Sequence, residues 1–390
     1  MEDAANPGLL PAGLTDLLAP DAGFEASVTE RLVAACTARG YERVKPPLME
    51  FEDSLLSGTG AAMERQVFRL MDPVSQRMMG LRADITPQIA RIAASRLKGA
   101  PRPLRVCYAG QVLRVRGDQI RPERQFAQIG VELIGSADPA ADAEVVALAH
   151  DALSYIGVAG VSIDLGLPTL VGAVLGAPLA GAPGRALREA LNHKDAGALD
   201  ALTRHLEDGK VATLKRLIAA AGPADDTLAA LAGAALPPDA RAEWQTMPAV
   251  VEQVRRLAPD ITLTIDPVEH RGFEYHAGVT FTIYAQGVRG ELGSGGRYLA
   301  GNGGGGAGEP ATGFTLFTDS LLRALPRPTP GRRVFTPAGT LPGQLEALRA
   351  EGWITVSGLQ DIADAAAEAR RLCCSHVLSA GRPVPVDGGN

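Results

Sequence analysis

Residues 104–134 read LRVCYAGQVLRVRGDQIRPERQFAQIGVELI. Two runs rich in β-forming side chains, 104–115 and 126–134, flank a polar connection, 116–124, that carries Gly117 and Pro122. Two such runs joined by a charged loop predict an antiparallel hairpin. Alternate residues of a strand share a face, so Gln128 and Glu132, four apart, project from the same side of the second strand. An amide and a carboxylate on one sheet face make a cradle for a cationic or donor-rich small molecule. The spacing alone also admits a structural role, with both side chains paired to surface arginines.

Outward from the hairpin, the chain keeps an α+β texture. Upstream, Phe24, Val28, Leu32 and Cys36 recur every fourth residue and predict a helix over about 21–38, which Gly40 stops. Strands are predicted at 41–44 and 78–81, and a helix from Pro87, proline being at home in a first turn. Downstream, Asp138 and Pro139 predict the capped start of a helix over 139–156, with Val145, Leu148, Ala152 and Ile156 on one side. A strand follows at 161–165. From 169 to 257 the chain turns to Ala/Leu-rich helical segments broken by Gly and Pro, which predicts a helical insertion. Strand character returns at 261–265 and 278–285. The stretch 301–308, GNGGGGAG, lacks the Gly-Lys-Ser/Thr ending of a P-loop and reads as a solvent loop. The tail alternates strand (333–336), helix (341–350), strand (353–356), helix (361–374) and strand (376–378), predicting a small three-stranded α/β unit.

The composition narrows the function. The 390 residues are 46% hydrophobic but only 4% aromatic, and the formal net charge is -6. Nucleic-acid binding over a wide face draws on a basic patch, because phosphate neutralisation supplies most of the affinity; the acidic total argues against it. Cys36, Cys107, Cys373 and Cys374 contain no C-x-x-C spacing and are expected to be idle thiols of a reducing compartment, with no metal and no cofactor. The N-terminus lacks the regions of a signal peptide, and no run of about 18 apolar residues is present. The expected location is the cytoplasm, with no membrane contact.

Three separated segments carry the candidate chemistry: Leu81 to Gln88 (LRADITPQ); Leu113 to Arg116 (LRVR), continuing to Arg124 to Glu132 (RQFAQIGVE); and His270 to Gly278 (HRGFEYHAG), with Gly295-Gly296-Arg297-Tyr298 close behind. In order and spacing they resemble the histidyl-tRNA synthetase family of class II synthetases over roughly residues 8–325. The first resembles L-R-P-E-G-T, with Asp84 in the acidic place. Arg114 resembles the arginine of the motif 2 signature F-R-x-E. Residues 125–135 resemble Q-F-H-Q-x-G-V-E-x-x-G, and 271–278 resemble R-G-L-D-Y-Y-T-G. Pro47-Leu48-Met49-Glu50 resembles the motif 1 region that builds the class II dimer. The resemblance implies that Asp84, Thr86 and Gln128 hold an α-amino group and Glu132 an imidazole, with Tyr275 and His276 closing on the ring. It also implies that Arg114 and Arg271 hold an anionic group, such as the carboxylate of histidine. A carboxylate facing an imidazole N–H rejects apolar isosteres, because the mismatch leaves buried groups unpaired.

The departures from that family fall on the nucleotide side. The glutamate of motif 2 is here Arg116, and the arginine of motif 3 (G-F-x-x-G-x-E-R) is here Ser320, in GFTLFTDS; Phe317 takes the place of a glycine. Losing one charge-stabilising donor commonly costs roughly 10²–10³ in rate, so several altered together imply lost activation. The tail after residue 330 is a shortened version of the family's anticodon-binding domain. This pattern resembles the synthetase paralogues that serve as regulatory subunits of ATP phosphoribosyltransferase, the first enzyme of histidine biosynthesis, beside a short catalytic subunit.

The expected fold is therefore α+β: a class II synthetase-like antiparallel sheet with flanking helices, a helical insertion and a small α/β C-terminal unit. The expected boundaries are 1–168 and 259–330 for the core, 169–258 for the insertion and 331–390 for the tail. The expected function is a non-catalytic, homodimeric subunit of a hetero-oligomer. It would be required by a short-form ATP phosphoribosyltransferase catalytic subunit and would convey feedback inhibition by free histidine, with tRNA binding not expected. The alternatives are an active histidyl-tRNA synthetase with divergent motifs and a histidine-binding module for another partner.

Overall fold

The computed structural model describes residues 8–117, 121–176, 181–202, 206–269, 276–301 and 308–386. The chain divides into two units, Met1–Pro326 and Arg327–Asn390.

The first unit opens with helix α1 (Asp21–Thr37), which buries Val28, Leu32 and Cys36 and is followed by Gly40 at a φ of 83°. Strand β1 (Glu42–Arg43) runs parallel to β5 (Leu104–Leu113). Between them β2 (Met49–Phe51), β3 (Phe68–Met71) and β4 (Met78–Leu81) form a small antiparallel sheet in the order β2-β4-β3. The short helix α2 (Glu52–Leu55) and a 3₁₀ stretch (Gly58–Gln66) connect β2 to β3, and helix α3 (Thr86–Ala94) follows β4.

β5 and β6 (Gln125–Ile134) form the hairpin expected from the sequence, paired from Leu104↔Ile134 to Leu113↔Gln125. Helix α4 (Pro139–Ile156) starts where Asp138 accepts a hydrogen bond from the Ala140 N–H and ends at Gly157 in the left-handed region. After β7 (Val161–Gly166) come helices α5 (Pro168–Leu175), α6 (Gly181–Asn192), α7 (Ala196–Asp200) and α8 (Asp208–Ala220). The two-residue β8 (Gly222–Pro223) interrupts them before α9 (Ala224–Leu231), α10 (Pro238–Trp244) and α11 (Thr246–Leu257). Strands β9 (Thr262–Asp266), β10 (His276–Ala285), β11 (Gly293–Ala300) and β12 (Glu309–Phe317) then complete a nine-stranded sheet, β1-β5-β6-β12-β11-β10-β7-β9-β8, before helix α12 (Thr318–Ala324).

The sheet is antiparallel except at its β1/β5 and β7/β9 pairs. The β7–β9 helices do not build a separate interior. Leu187, Leu214, Trp244 and Val250 belong to one apolar cluster with Val145 of α4 and Ile129 and Val131 of β6. Strands β11 and β12 depart from the sequence expectation. GSGGRYLA carries three glycines, which weaken a strand taken alone, yet its neighbours β10 and β12 pair it over its length. The stretch 301–308 keeps only its ends within the described residues.

β6 is buried on both faces. Ile129, Val131 and Leu133 pack toward α1 and α4; Phe126 and Ile134 lie on the opposite face in a second cluster with Ile85 and Ile89 of α3. The sheet is thus sandwiched between α4 on one side and α3 on the other, and the even-numbered face of β6 looks toward α3. Cys36 and Cys107 are buried, and their thiols are pushed up to about 12 and about 11 by burial.

The second unit is a four-stranded sheet rather than three-stranded, with β14 (Ile354–Ser357), β13 (Arg333–Thr336) and β15 (His376–Ser379) parallel and β16 (Arg382–Pro385) added antiparallel to β15. Helices α13 (Pro342–Ala350) and α14 (Ala365–Arg371) connect the parallel strands, α14 starting later than the sequence expectation because Asp364 caps it on the Ala367 N–H. The fourth strand escaped detection because ArgProValPro carries two prolines, which are tolerated only at an edge such as β16.

One buried ion pair fastens α4 to β11. Arg297 donates from Nε and Nη2 to Asp142 Oδ2 at 3.0 and 2.7 Å, and also to the carbonyls of Ser136 and Asp138. Removing one partner of such a pair strands the other charge, which typically costs about 3–5 kcal/mol. We expect Arg297→Met to lose stability of that order in urea unfolding. A loss under about 1 kcal/mol, the range of exposed pairs, would contradict this reading of the pair.

Candidate functional site

Where β6 faces the start of α3, the cluster turns polar. Gln128 and Glu132 are 0% and 2% exposed, so the surface-arginine alternative does not hold. Gln128 clamps the turn before α3: its Oε1 accepts from the Ile85 N–H at 3.1 Å, and its Nε2 donates to Asp84 Oδ2 at 3.0 Å. Asp84 also accepts from the Thr86 N–H at 2.8 Å. Beneath the turn, Arg82 donates to the carbonyls of Gln111 and Pro46, pinning the segment to β5 and the chain before β2.

Glu132 is surrounded by hydroxyls. Thr86 Oγ1 and Tyr108 Oη lie 3.1 and 3.3 Å from its Oε1, and Tyr298 Oη donates to Oε2 at 2.8 Å. Tyr108 Oη is also 2.8 Å from Thr315 Oγ1. Two glycines make this packing possible. A Cβ on Gly130, which pairs with Tyr108 across the hairpin, would overlap the Tyr108 hydroxyl, and one on Gly313, opposite Glu132 on β12, would overlap Glu132 Oε2. The spacing Gln128-x-Gly130-x-Glu132 is therefore one face with a gap at its middle that the Tyr108 ring fills.

A narrow cleft opens beside Glu132, lined by Thr86, His276, Tyr298, Gly313, Thr315 and the Gly295–Gly296 step of β11 among others. Of the residues singled out in the sequence, Thr86, Glu132 and His276 line it, and Asp84 and Gln128 hold the adjoining turn. Arg114 does not line the cleft but reaches the same turn, its Nε 3.4 Å from the Ala83 carbonyl and its guanidinium 5.0 Å from the centre of the Phe126 ring. Arg271 and Tyr275 lie outside the described residues. The sequence reading did not assign Tyr108, Tyr298 or Thr315 to the site. Tyr108 was accessible in principle, since it falls opposite the glycine between Gln128 and Glu132 once the hairpin register is drawn.

Burial pushes the Glu132 carboxyl up to about 8, reinforced by the nearby Asp84 and opposed by hydrogen bonds from Tyr298, Thr86 and Tyr108. A strongly shifted acid at a cleft is a candidate functional group. At neutral pH the group is a neutral acid, able to donate as well as accept.

The raised value carries a stability consequence. Because the folded group titrates near 8 and the ordinary value is 4.5, the folded chain holds this proton more tightly than the unfolded chain. That contribution is complete below about pH 4.5 and is lost as pH rises toward about 8. Glu132→Gln cannot ionise. Its melting temperature relative to wild type should therefore rise between about pH 5.5 and 8.5; a difference independent of pH would place the shifted group elsewhere.

The sequence profile of the family described as Histidyl-tRNA synthetase matches residues 13–321. Among solved structures, an ATP phosphoribosyltransferase regulatory subunit/histidyl-tRNA synthetase from Bacillus halodurans superposes with a TM-score of 0.79 at 24% identity, covering 94% of this chain and 96% of that one. A histidyl-tRNA synthetase from Nostoc sp. PCC 7120 gives 0.78 at 18% identity, over 95% and 91%. At these identities the likeness establishes the fold: a class II synthetase-like α+β architecture. The sequence relatives are nearer. The ATP phosphoribosyltransferase regulatory subunit of Paramagnetospirillum magneticum is 55% identical over 389 residues, 99% of this chain and 100% of its own. That of Rhodospirillum centenum is 55% identical over 375 residues, 96% and 95%. Matched end to end by these relatives, the chain belongs to the family of ATP phosphoribosyltransferase regulatory subunits, built on the histidyl-tRNA synthetase fold.

Proposed function

We propose that the chain is a histidine-responsive regulatory subunit of ATP phosphoribosyltransferase, with no catalysis of its own, required by a short-form catalytic subunit and conveying feedback inhibition by free histidine. The carrying observation is the buried Glu132 carboxyl beside a narrow cleft, ringed by hydroxyls, with His276 in the cleft lining. In this reading Glu132 meets the imidazole, Asp84, Thr86 and Gln128 the α-amino group, and Tyr275 and His276 close on the ring. Arg114 and Arg271 serve the carboxylate. Histidine then shifts the assembly by binding one of its states better than the other, a coupling typically worth about 1–3 kcal/mol.

The same reading makes the chain a homodimer in the cytoplasm and aminoacylation lost, tRNA included. Support for a dimer comes from the small sheet after β1, where Leu70 and the paired Met71 and Met78 are exposed, Met71 by 62%. Exposed apolar groups gathered in this way mark interaction surfaces. Support for lost activation comes from Ser320, which accepts a hydrogen bond from Arg323 and supplies no cation. Among the described residues no helix is long and apolar enough to cross a membrane.

Binding should follow pH in a defined way. Between about pH 6.5, where free imidazole titrates, and about 8, where the empty-site Glu132 titrates, ligand and site together carry one proton before binding. The bound pair shares one proton. Histidine affinity is therefore expected to be flat across that window. It should fall below the window, where a proton must be released, and above it, where one must be taken up. Glu132→Gln should weaken binding by about 1–3 kcal/mol and abolish the alkaline fall. An unchanged affinity by calorimetry would remove Glu132 from the imidazole.

Function is tested by mixing. A purified short-form catalytic subunit should gain phosphoribosyltransferase activity on addition of this chain and lose it again on addition of histidine. A catalytic subunit that runs equally well without the chain would refute the regulatory role. Histidine-dependent ATP–pyrophosphate exchange by the pure chain would instead favour an active synthetase.

A further inference from the structure

Helix α6 ends in a turn that a glycine ordinarily makes. The Asp195 N–H bonds to the Ala190 carbonyl at 2.8 Å and the Lys194 N–H to that of Leu191 at 3.1 Å, the paired bonds that close a helix through a left-handed residue. That residue is Lys194, at a φ of 55°. A side chain is strained in this conformation where glycine is not, so lysine is a poor choice for the turn unless its charge is needed. Its Nζ is buried and forms an ion pair with Oδ2 of Asp266, the last residue of β9.

Asp266 in turn shapes the chain that leaves β9. Its Oδ1 accepts from the Val268 N–H at 3.1 Å, and its carbonyl accepts from the Glu269 N–H at 3.3 Å. Asp164 on β7 is pushed up chiefly by burial and further by Asp266 and Glu269, while Lys194 opposes them. Three carboxylates thus gather at β7 and the end of β9, compensated by a cation from the helices between those strands.

From there a line of contacts crosses the sheet to the cleft. Gly166 of β7 and Gly296 of β11 both pair with Thr280 of β10. A Cβ on Gly166 would lie 2.8 Å from Thr280 Oγ1 and 3.6 Å from Glu269 Cβ. One on Gly296 would lie 2.9 Å from Thr280 Cγ2 and 2.8 Å from His276 Cδ2. Thr280 is fully buried, and its hydroxyl finds no hydrogen-bond partner among the described residues, so packing alone fixes that side chain. Gly296 and His276 line the cleft beside Glu132.

We propose that Lys194, which is not in the cleft lining, is a positioning residue for it: by holding Asp266 it seats Glu269 against Thr280, and so Gly296 and His276 where the ligand is met. A close-packed interior has little free volume to absorb a displacement, so side chains in contact pass it on. Removing the cation leaves three carboxylates facing one another uncompensated, which favours a wider turn after β9. The ligand half of this statement rests on the histidine reading above; the positioning half rests on the contacts from Lys194 to His276.

The test compares the full chain with Lys194→Met and Lys194→Arg, by calorimetric titration with histidine and by hydrogen exchange over residues 276–281 without ligand. Lys194→Met is expected to raise the histidine dissociation constant about threefold or more, the usual reach of a substitution that touches no ligand. Exchange at the start of β10 should quicken by a similar factor, and Lys194→Arg, which keeps the charge, should stay near wild type in both. A role confined to the end of α6 would lower the melting temperature and leave both readouts unchanged, which overturns the proposal. So does a Lys194→Arg as impaired as Lys194→Met. Should Lys194→Met fail to fold, Asp266→Asn takes its place with the same two readouts, because its amide oxygen still accepts from Val268 while the charge is gone. A wild-type chain that binds no histidine removes the histidine reading and leaves the exchange comparison to decide the positioning.

Discussion

A carboxyl group removed from water must be satisfied by the protein, by a ligand or by a proton. Glu132 uses the first and the last. Thr86, Tyr108 and Tyr298 supply hydroxyls from α3, β5 and the distant β11, and burial raises the group until it keeps its proton at neutral pH. Much of the local architecture serves this arrangement. Gly130 and Gly313 surrender their side chains so that the Tyr108 ring and the Glu132 carboxyl fit between strands. Gln128 uses both ends of its amide to hold the Asp84–Thr86 turn against the sheet.

The two faces of β6 divide the labour. Ile129, Val131 and Leu133 belong to the apolar interior shared with α1, α4 and the helices between β7 and β9, which supplies the hydrophobic stabilisation. The other face spends part of its burial on polar groups, an expense tolerated because nearly all of them find partners in a connected network. In the proposed reading, this hydroxyl-lined acid would give an imidazole a partner able to accept or donate, which an ordinary surface carboxylate at 4.5 does not offer.

The local patterns of the sequence determined a good deal here. The β5–β6 hairpin, the shared face of Gln128 and Glu132, and the Asp138-capped helix α4 all follow from short-range periodicity and capping, which depend on neighbours within a few residues. Asp84, Thr86 and His276 were reached through resemblance of motifs rather than through spacing. Tertiary structure alone decided that the glycine-rich β11 is a strand, because its hydrogen bonds come from β10 and β12. It also decided that Tyr108, Tyr298 and Thr315 belong to the site and that Glu132 titrates near 8. Each of these depends on which distant segments exclude water from a given side chain, and burial is a property of the packed assembly that no local window of sequence contains.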